Sequence, residues 1–209
     1  MGMHGHRAGE GVRKVGIMLV MQRVIEAVQT VRTRFESDIK AFETGTIRTD
    51  FEKHESTLHI ARGLRNVGHL ISVDNNACSI HLAKGICQKE SNITWIESDS
   101  IKYLKSLKDE MFHFVLLDSV NKAGHIFEEF KLVSSHIVDG GLLIIDDAGL
   151  KVDGSGIDRG VPAEKAHAVW KFVKKVGAKF SILQGAHGTQ LMVRFGQKSK
   201  DKILKALNN

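Results

Sequence analysis

Four residue types are scarce in this sequence, and the shortages of cysteine and proline each argue against a class of protein. The 209 residues include 2 cysteines, 1 proline, 1 tyrosine and 2 tryptophans. Cys78 and Cys87 lie in one predicted helix, on roughly opposite sides, so they do not form the disulfide framework of a small secreted domain. The single proline, Pro162, disfavours an all-β sandwich with proline-rich turns. We therefore expect a cytoplasmic protein in a reducing compartment, with glycine at its turns.

Long apolar segments are also missing. The most apolar run near the start, residues 15–21, is followed by Gln22 and Arg23 before it reaches the length of a signal peptide. No segment approaches the roughly 18 apolar residues of a membrane span, so we expect no membrane partner. The formal net charge of +6 does not identify a partner by itself, and the length predicts one domain.

What the sequence does contain is an alternation of short apolar runs and amphipathic segments. Residues 17–35 carry apolar side chains every three or four positions, as an amphipathic helix does. From residue 39 onward, strand-like and helical segments alternate, which predicts an α/β, doubly wound, Rossmann-like fold with a mostly parallel sheet. The last two strands are too close in sequence for a crossover helix, so they are expected to form a reversed C-terminal β-hairpin. The seven predicted strands are residues 39–42, 70–73, 93–96, 112–117, 142–145, 179–183 and 189–195.

This interpretation divides the chain into four segments. Residues 1–15 are rich in glycine and are expected to be a flexible tail. Residues 16–37 form an N-terminal helix outside the sheet, for which two roles are open: a lid over the rim of the site, or the contact in a homodimer. Residues 38–197 form the main domain, and residues 198–209 are a basic tail that is either helical or frayed.

Acidic and hydroxyl side chains follow each of the first five predicted strands. Ligands of open α/β sheets bind beyond the carboxyl ends of the strands, so these five endings are expected to converge on one site. A single acid after a strand is common because strand ends meet solvent, but solvent exposure does not readily explain acids or hydroxyls after five strands in series. The endings are Glu43-Thr44-Gly45-Thr46, Asp74-Asn75, Ser98-Asp99-Ser100, Asp118-Ser119 and Asp146-Asp147.

Two of these acids have specific interpretations. Asp74 closes the second strand downstream of a glycine-containing loop, where an acid accepts hydrogen bonds from the two hydroxyls of a ribose. The alternative for Asp74 is to cap the next helix. Asp99 lies between two serines, and it either caps the following helix or accepts a hydrogen bond from the amino group of an adenine.

The ordered set of strand endings, completed by Gly140-Gly141 before the fifth strand, resembles the class I S-adenosylmethionine-dependent methyltransferases over residues 38–195. Within that class it is most similar to the small metal-dependent O-methyltransferases of the catechol and caffeoyl-coenzyme A type and to cephalosporin-hydroxylase-like relatives. The resemblance implies a seven-stranded sheet and S-adenosyl-L-methionine as cofactor. It implies these cofactor-binding residues: Glu43, Thr44, Gly45, Thr46, Ser56, Asp74, Asn75, Asp99, Ser100 and Asp118.

The first loop departs from the pattern of many relatives. Ile47 and Thr49 stand where those relatives have further glycines. Ser56-Thr57 match the Ser-Thr pair that opens the next helix in some relatives, so residues 47–55 resemble an insertion. The sequence therefore leaves the path of the loop near the methionine part of the cofactor undefined.

Asp118, Asp146 and Asp147 follow two strands that are predicted to be neighbours. Three converging carboxylates repel one another unless a cation joins them, and an all-oxygen ligand set suits Mg²⁺ or a similar divalent ion. The resemblance implies the same metal site, in which the ion binds the substrate hydroxyl, lowers its pKa and orients it toward the methyl group. The alternative is that Asp118 contacts the cofactor and Asp146 caps the loop, without a metal.

The general base is less well defined by the sequence. Relatives have a lysine or a histidine three residues after the first metal-binding acid, where this chain has Asn121. Lys122 and His125 are the nearby candidates for the catalytic base, and each is equally explained as a solvent-facing residue at a helix start. The glycine-rich segment 151–162, which includes Arg159, is the candidate for substrate selection, and His187 is a candidate wall of the pocket.

The expected function is an S-adenosylmethionine-dependent methyltransferase that moves a methyl group to a hydroxyl of a small molecule. One alternative is an RNA-modifying methyltransferase, since lysines in residues 198–205 could contact phosphate, although stacking aromatics for nucleic acid are scarce. The other is a non-catalytic nucleotide-binding protein on the same fold. The first loop lacks the G-x-G-x-x-G pattern, which argues against a dinucleotide-dependent dehydrogenase.

Overall fold

The computed structural model describes residues 23–45, 56–158, 165–184 and 188–209. Helix α1 occupies residues 23–35 of the described chain. The other elements are β1 (Ile39–Thr44), α2 (Ser56–Gly63), β2 (Gly68–Asp74), α3 (Ala77–Ile86), β3 (Ile93–Glu97), α4 (Ser100–Ser106), β4 (Phe112–Leu117), α5 (Ala123–Ser134), β5 (Ile137–Ile145), α6 (His167–Val176), β6 (Phe180–Gln184), β7 (Thr189–Phe195) and α7 (Gln197–Leu207).

The seven strands form one sheet in the order β3-β2-β1-β4-β5-β7-β6. Strands β1 to β5 pair in parallel, and β7 pairs antiparallel with both β5 and β6. Thr44 of β1 is in register with Val73 of β2 and Leu117 of β4, while Leu117 is in register with Ile145 of β5. The predicted fold, with its reversed hairpin, is confirmed, and four strands end at one rim.

The central strands are buried on both faces, as their continuous apolar sequences predict. In β4, Phe112, Val115 and Leu117 belong to the core beneath α5 and α6, whereas Phe114 and Leu116 belong to the core beneath α1 and α2. Each of these five side chains is at most 2% exposed. Because such a strand cannot move without disturbing two cores, its carboxyl end is a rigid support for the residues that follow it.

The apolar stripe of α1 packs against the sheet of the same chain. Val24, Val28 and Val31 are each 1% exposed and share a core with Ile39. Over residues 23–35 this stripe is therefore occupied within the molecule and is available neither as a lid nor as a dimer contact. The first part of the predicted segment, residues 16–22, lies outside the described residues, as does the predicted tail at residues 1–15.

The C-terminal segment is helical rather than frayed. Helix α7 places Ile203 in the core, fully buried. Lys200 Nζ donates to the carbonyl of Ile137 at 2.5 Å, and Lys202 Nζ donates to that of Gly177 at 3.0 Å. The expected basic tail is thus part of the main fold. Among the described helices, none is long and apolar enough to cross a membrane.

Candidate functional site

A cleft opens at the carboxyl ends of β1, β2, β3 and β4. Gly45, Asp74, Asn75, Asp99 and Ser100 all line this cleft, so five of the predicted cofactor residues meet at one place. Val73, Ser98, Ser119, Val120 and His125 complete the described lining. Since ligands of open α/β sheets bind at this edge, the convergence identifies the cleft as the candidate binding site.

Glu43 lies beneath the cleft and has no exposed surface. Its carboxylate accepts hydrogen bonds from Ser72 Oγ at 2.7 Å, from Ser56 Oγ at 3.1 Å and from Thr57 Oγ1. Burial raises the pKa of Glu43 to about 7, although the three hydroxyl donors oppose that shift. We expected Glu43 to form part of the cofactor loop. In the structure it holds β1, β2 and the start of α2 together, and its part in cofactor binding stays a prediction.

Thr44 and Ser56 have supporting positions as well. Thr44 is fully buried, and its carbonyl accepts from the backbone N–H of Asp118 at 3.0 Å. Ser56 is half-buried and directed at Glu43. Thr46, also predicted as a cofactor residue, lies outside the described residues, together with the segment 47–55 that resembles an insertion.

Gly45 lies at the closest approach of β1 to the chain after β4. Its φ is +81°, and a Cβ atom built there would be 2.3 Å from the carbonyl oxygen of Asp118 and 3.2 Å from Cα of Ser119. An L side chain is disfavoured at this φ and has no space at this distance. The glycine predicted for the cofactor loop is therefore required by the backbone itself.

The structure tests one of the two interpretations of Asp74, the helix cap, and the ribose interpretation stays a prediction. Asn76, and not Asp74, is the N-cap of α3, because its side chain accepts from the backbone N–H groups of Cys78 and Ser79. Asp74 Oδ1 accepts from the backbone N–H of Asn76 at 2.8 Å, which fixes the carboxylate in the wall of the cleft. The capping alternative for Asp74 is excluded, and its position suits a ligand with adjacent hydroxyls.

Asp99 caps the following helix, as one of its two interpretations predicts, and it also lines the cleft, where the other interpretation places it. Its side chain caps α4 by accepting from the backbone N–H of Lys102 at 2.8 Å, and the same residue lines the cleft. Ser100 Oγ lies 3.1 Å from His125 Nε2, which closes this end of the cleft against α5. Asp99 is therefore a helix cap that is also available to a ligand.

His125 and Lys122, the two candidate bases, are positioned differently. His125 Nε2 lies 3.4 Å from Oε1 of the fully buried Glu129, whose proximity raises the pKa of His125. Lys122 is exposed at the N-terminus of α5. The contacts of His125 are thus with Ser100 and Glu129, on the Asp99 side of the cleft.

Asp118, Asp146 and Asp147, which we call the acid cluster, follow β4 and β5. Gln190 Nε2 on β7 donates to Asp146 Oδ1 at 2.9 Å. Burial, followed by the charges of Asp118 and Asp147, raises the pKa of Asp146 to about 7. Asp147 has a φ of +47°, an uncommon backbone conformation for a residue other than glycine. The predicted convergence of three carboxylates is present.

A lysine side chain enters the acid cluster. Lys165 is 3% exposed, its Nζ donates to Asp118 Oδ1, and it lies 3.9 Å from Asp147 Oδ2. Burial lowers the pKa of the Lys165 ammonium, but the charges of Asp118, Asp147 and Asp146 outweigh burial and raise it overall. The ammonium of Lys165 is therefore the cation that compensates the charge of the three carboxylates.

The predicted divalent metal does not fit this arrangement. Among the described residues, no three His, Cys, Asp or Glu side chains are placed to hold a metal ion. Mg²⁺ needs carboxylate oxygens at about 2.0–2.1 Å, whereas Asp118 Oδ1 is engaged by the ammonium of Lys165.

The segment after the acid cluster, predicted to select substrate, is folded back on itself over residues 150–157. Leu150 pairs with Ile157, and the backbone N–H of Lys151 donates to the carbonyl of Gly156 at 2.9 Å. A second, open depression of about 560 Å³ is lined by Lys151, Gly156, Ile157 and Trp170. Lys151 is the ionisable residue of this lining, whereas Asp74, Asp99 and His125 line the cleft. The cleft and the acid cluster are therefore the better candidates for a binding and reaction site. Arg159 and His187 lie outside the described residues.

Lys165 and Gln190 were missed at the sequence level. Lys165 follows a glycine-rich segment and precedes a helix, where a solvated lysine is ordinary. Gln190 lies inside an apolar strand, and only the pairing of β7 with β5 brings it to Asp146. The sequence feature that could have pointed to Lys165 is the convergence of three carboxylates, which repel one another unless a cation lies between them.

Comparisons with known proteins agree with this description. Residues 55–148 match the family described as Methyltransferase domain, and no curated protein sequence matches the chain. Among solved structures, the O-methyltransferase TomG from Streptomyces achromogenes, in complex with SAM, has 18% identity and a TM-score of 0.61, covering 84% of this chain and 80% of its own. An O-methyltransferase from Bacillus cereus, in complex with SAH, has 16% identity, a TM-score of 0.61 and 89% coverage of both chains. The N-methyltransferase NodS from Bradyrhizobium japonicum has 14% identity and a TM-score of 0.52, covering 83% of this chain and 93% of its own.

Proposed function

We propose that this chain, a class I S-adenosylmethionine-dependent methyltransferase by its fold and its methyltransferase domain, methylates a hydroxyl oxygen of a small molecule. The observation that carries the cofactor part of the proposal is the position of Asp74, whereas the choice of oxygen as acceptor depends on the acid cluster. Asp74 lies in the wall of the cleft between Gly45 on one side and Asp99 with Ser100 on the other. This arrangement offers a carboxylate to two ribose hydroxyls and a polar end to an adenine.

The cofactor-binding proposal assigns a separate task to each part of the cleft. Asp74 accepts hydrogen bonds from the ribose hydroxyls, and Asp99 and Ser100 face the adenine. Gly45 brings the backbone close to the ligand without a side chain in between. Glu43, Thr44 and Ser56 support that wall from below, and Asn75 adds the exposed edge.

The acid cluster is placed for proton removal at the methyl acceptor. Asp118 directly precedes Ser119 and Val120, which line the cleft, and we place its carboxylate at the end of the cofactor site where the methyl group is transferred. When bound, S-adenosylmethionine supplies a methyl group on a positively charged sulfur. The acceptor oxygen forms the new O–C bond as the C–S bond breaks, and the electron pair of that bond stays on sulfur. The hydroxyl proton passes to a carboxylate of the acid cluster.

Oxygen is the acceptor atom that this site supports best. A hydroxyl must lose a proton during transfer, and three carboxylates at one place provide an acceptor for it. TomG and the Bacillus cereus protein are named O-methyltransferases, whereas NodS is named an N-methyltransferase. The fold alone does not separate these reactions, so the argument for oxygen depends on the acid cluster.

An RNA acceptor has less support than a small molecule. Two lysines of the basic C-terminal segment, Lys200 and Lys202, are engaged with backbone carbonyls of the fold, and this use competes with phosphate contacts. Lys122 and His125 stay candidate bases, although the contacts of His125 favour a role beside the adenine. We propose neither a membrane partner nor a second subunit.

Calorimetric titration with S-adenosylhomocysteine tests the proposal. Asp74→Ala removes an acceptor of two charged hydrogen bonds, each worth about 1.5–3 kcal/mol, so binding should weaken at least about 100-fold. The matched control is Asp139→Ala, which removes an exposed carboxylate near the amino end of β5, and its affinity should equal that of the wild type. A wild type that does not bind the ligand, or an Asp74→Ala variant that binds it equally well, contradicts the proposal.

The acceptor atom is tested by product analysis. Wild-type protein is incubated with S-adenosylmethionine carrying a ¹³C-labelled methyl group and a panel of catechols, other phenols and amines. An O-linked methyl carbon in the product supports the proposal. Labelling of amine acceptors alone, at the same cofactor affinity, would refute hydroxyl specificity while leaving the cofactor site intact.

A further inference from the structure

Lys165 is a buried cation that lies beside the proposed reaction site. Its side chain is 4% exposed, and its Nζ contacts Asp118 and lies 3.9 Å from Asp147. A lysine is rarely buried to this extent unless acidic groups compensate its charge. Here the compensating acids stand at the carboxyl ends of two central strands, at the edge where the cofactor cleft opens.

A second observation comes from Gln190, the neighbour of Asp146. The residue is fully buried, and its Nε2 donates to Asp146. Its other polar atom, Oε1, is buried without a hydrogen-bond partner among the residues that the structure describes. A buried acceptor of this kind costs stability unless a donor reaches it. A ligand hydroxyl that enters the acid cluster is one donor of the required type.

We propose that Lys165 is the resident cation of this site and binds the oxygen of the methyl acceptor, in the place where a divalent ion acts in metal-assisted methyl transfer. This inference rests on the proposed function. A lysine ammonium has three N–H donors. One contacts Asp118, a second faces Asp147, and the third is available to the acceptor oxygen. That contact orients the oxygen and stabilises the negative charge it gains as its proton leaves.

The same geometry explains why a metal and Lys165 exclude each other. Both need oxygens of Asp118, and two cations at that carboxylate repel each other at short range. As they stand, the three carboxylates are not placed as a metal site. Removal of the ammonium leaves them without a counter-charge, so they repel one another until they shift to share a hard divalent ion, whose preferred ligands are oxygens. A variant without the Lys165 charge should therefore gain metal binding that the wild type lacks.

Manganese binding, measured by electron paramagnetic resonance of free Mn²⁺, tests the proposal without depending on catalysis. The variants are Lys165→Ala, Lys165→Met and the double variant Lys165→Ala with Asp146→Asn. Lys171→Ala, an exposed lysine of α6, is the matched control. Wild type and control should bind no stoichiometric Mn²⁺, Lys165→Ala should bind one equivalent, and the double variant should lose it.

Activity and cofactor affinity give the second readout. We expect methyl transfer by the wild type to be unchanged by a chelator, and Lys165→Met to lose about 100- to 1,000-fold in kcat, the usual loss for one preorganised donor. Its affinity for S-adenosylhomocysteine should change less than about threefold, since Lys165 contacts the acceptor and not the cofactor.

Three results would overturn the proposal. They are one tightly bound Mn²⁺ in the wild type, transfer that stops when a chelator is added, or an unchanged kcat in a folded Lys165→Met variant. The first two results use only the wild type, so they test the role of Lys165 even if a variant does not fold. Failure of the wild type to bind S-adenosylhomocysteine would instead contradict the proposed function. The Mn²⁺ measurement would still show whether Lys165 excludes a metal ion from the acid cluster.

Discussion

Replacement of Gly45 by alanine should damage both stability and ligand binding. The added Cβ would lie 2.3 Å from the carbonyl oxygen and 2.8 Å from the carbonyl carbon of Asp118, and the residue has a φ of +81°. The left-handed conformation costs an L residue about 1–2 kcal/mol, and forcing extra volume into a packed site costs about 1–3 kcal/mol. Because the opposing atoms are backbone, no rotamer change relieves the overlap. The loss of unfolding free energy should be about 2–5 kcal/mol.

Thermal unfolding followed by circular dichroism measures this loss. For a chain of this length, each kcal/mol corresponds to roughly 2–4 °C, so Gly45→Ala should melt roughly 4–20 °C below the wild type. Calorimetry should also find weaker binding of S-adenosylhomocysteine, because Gly45 lines the cleft. Gly85→Ala is the matched control. A Cβ there meets no atom within 4 Å, and alanine is the better helix former by about 1 kcal/mol. A Gly45→Ala variant with wild-type melting and affinity would refute the reasoning.

Three further predictions follow from buried groups. The pKa of Glu43 is raised from 4.5 to about 7, so its contribution to stability is full below pH 4.5 and is lost as pH rises toward about 7. Melting temperatures between pH 5 and 7 should therefore fall less steeply in Glu43→Gln, and an unchanged slope would contradict this. Glu129→Gln should lower the pKa of His125, measured by NMR titration of the imidazole, since Glu129 is the main cause of its raised value. A constant His125 pKa would show that Glu129 does not act on it. A thiol reagent should label Cys78 quickly and Cys87 only on unfolding, because the first is exposed and the second buried, and equal rates would contradict the packing of α3.

The sheet could be predicted from the sequence wherever burial dictates residue type. Strand β4 was predicted with its exact bounds because a strand buried on both faces must be apolar throughout. Strand β5 begins at Ile137, five residues earlier than predicted. Its first part contains Asp139, Gly140 and Gly141, which do not have strand character. The strand continues through them because Ile137 pairs with Phe112 of β4 and Gly141 pairs with Phe195 of β7, while the register with β4 shifts between Ile137 and Leu142.

The cleft was more predictable than the surroundings of the acid cluster. Asp74 ends β2 and Asp99 comes two residues after β3, so their place at the rim follows from the topology. Lys165 depends on a tertiary contact, because its distance from Asp118 along the chain gives no local pattern. The three carboxylates do require a cation, but charge alone does not distinguish a metal ion from an ammonium group.

The buried carboxylate of Glu43 has a consequence for engineering. It stands at the end of β1 and binds the hydroxyls of Ser56 and Thr57 at the start of α2, so the two ends of the intervening segment are fastened to one group. Loop-closure entropy changes slowly with length, by about 0.6 kcal/mol for each doubling. Residues 46–55 should therefore accept exchange for shorter or longer sequences without disturbing the sheet. A library of such exchanges would vary the segment between β1 and α2 while the anchoring carboxylate preserves the scaffold.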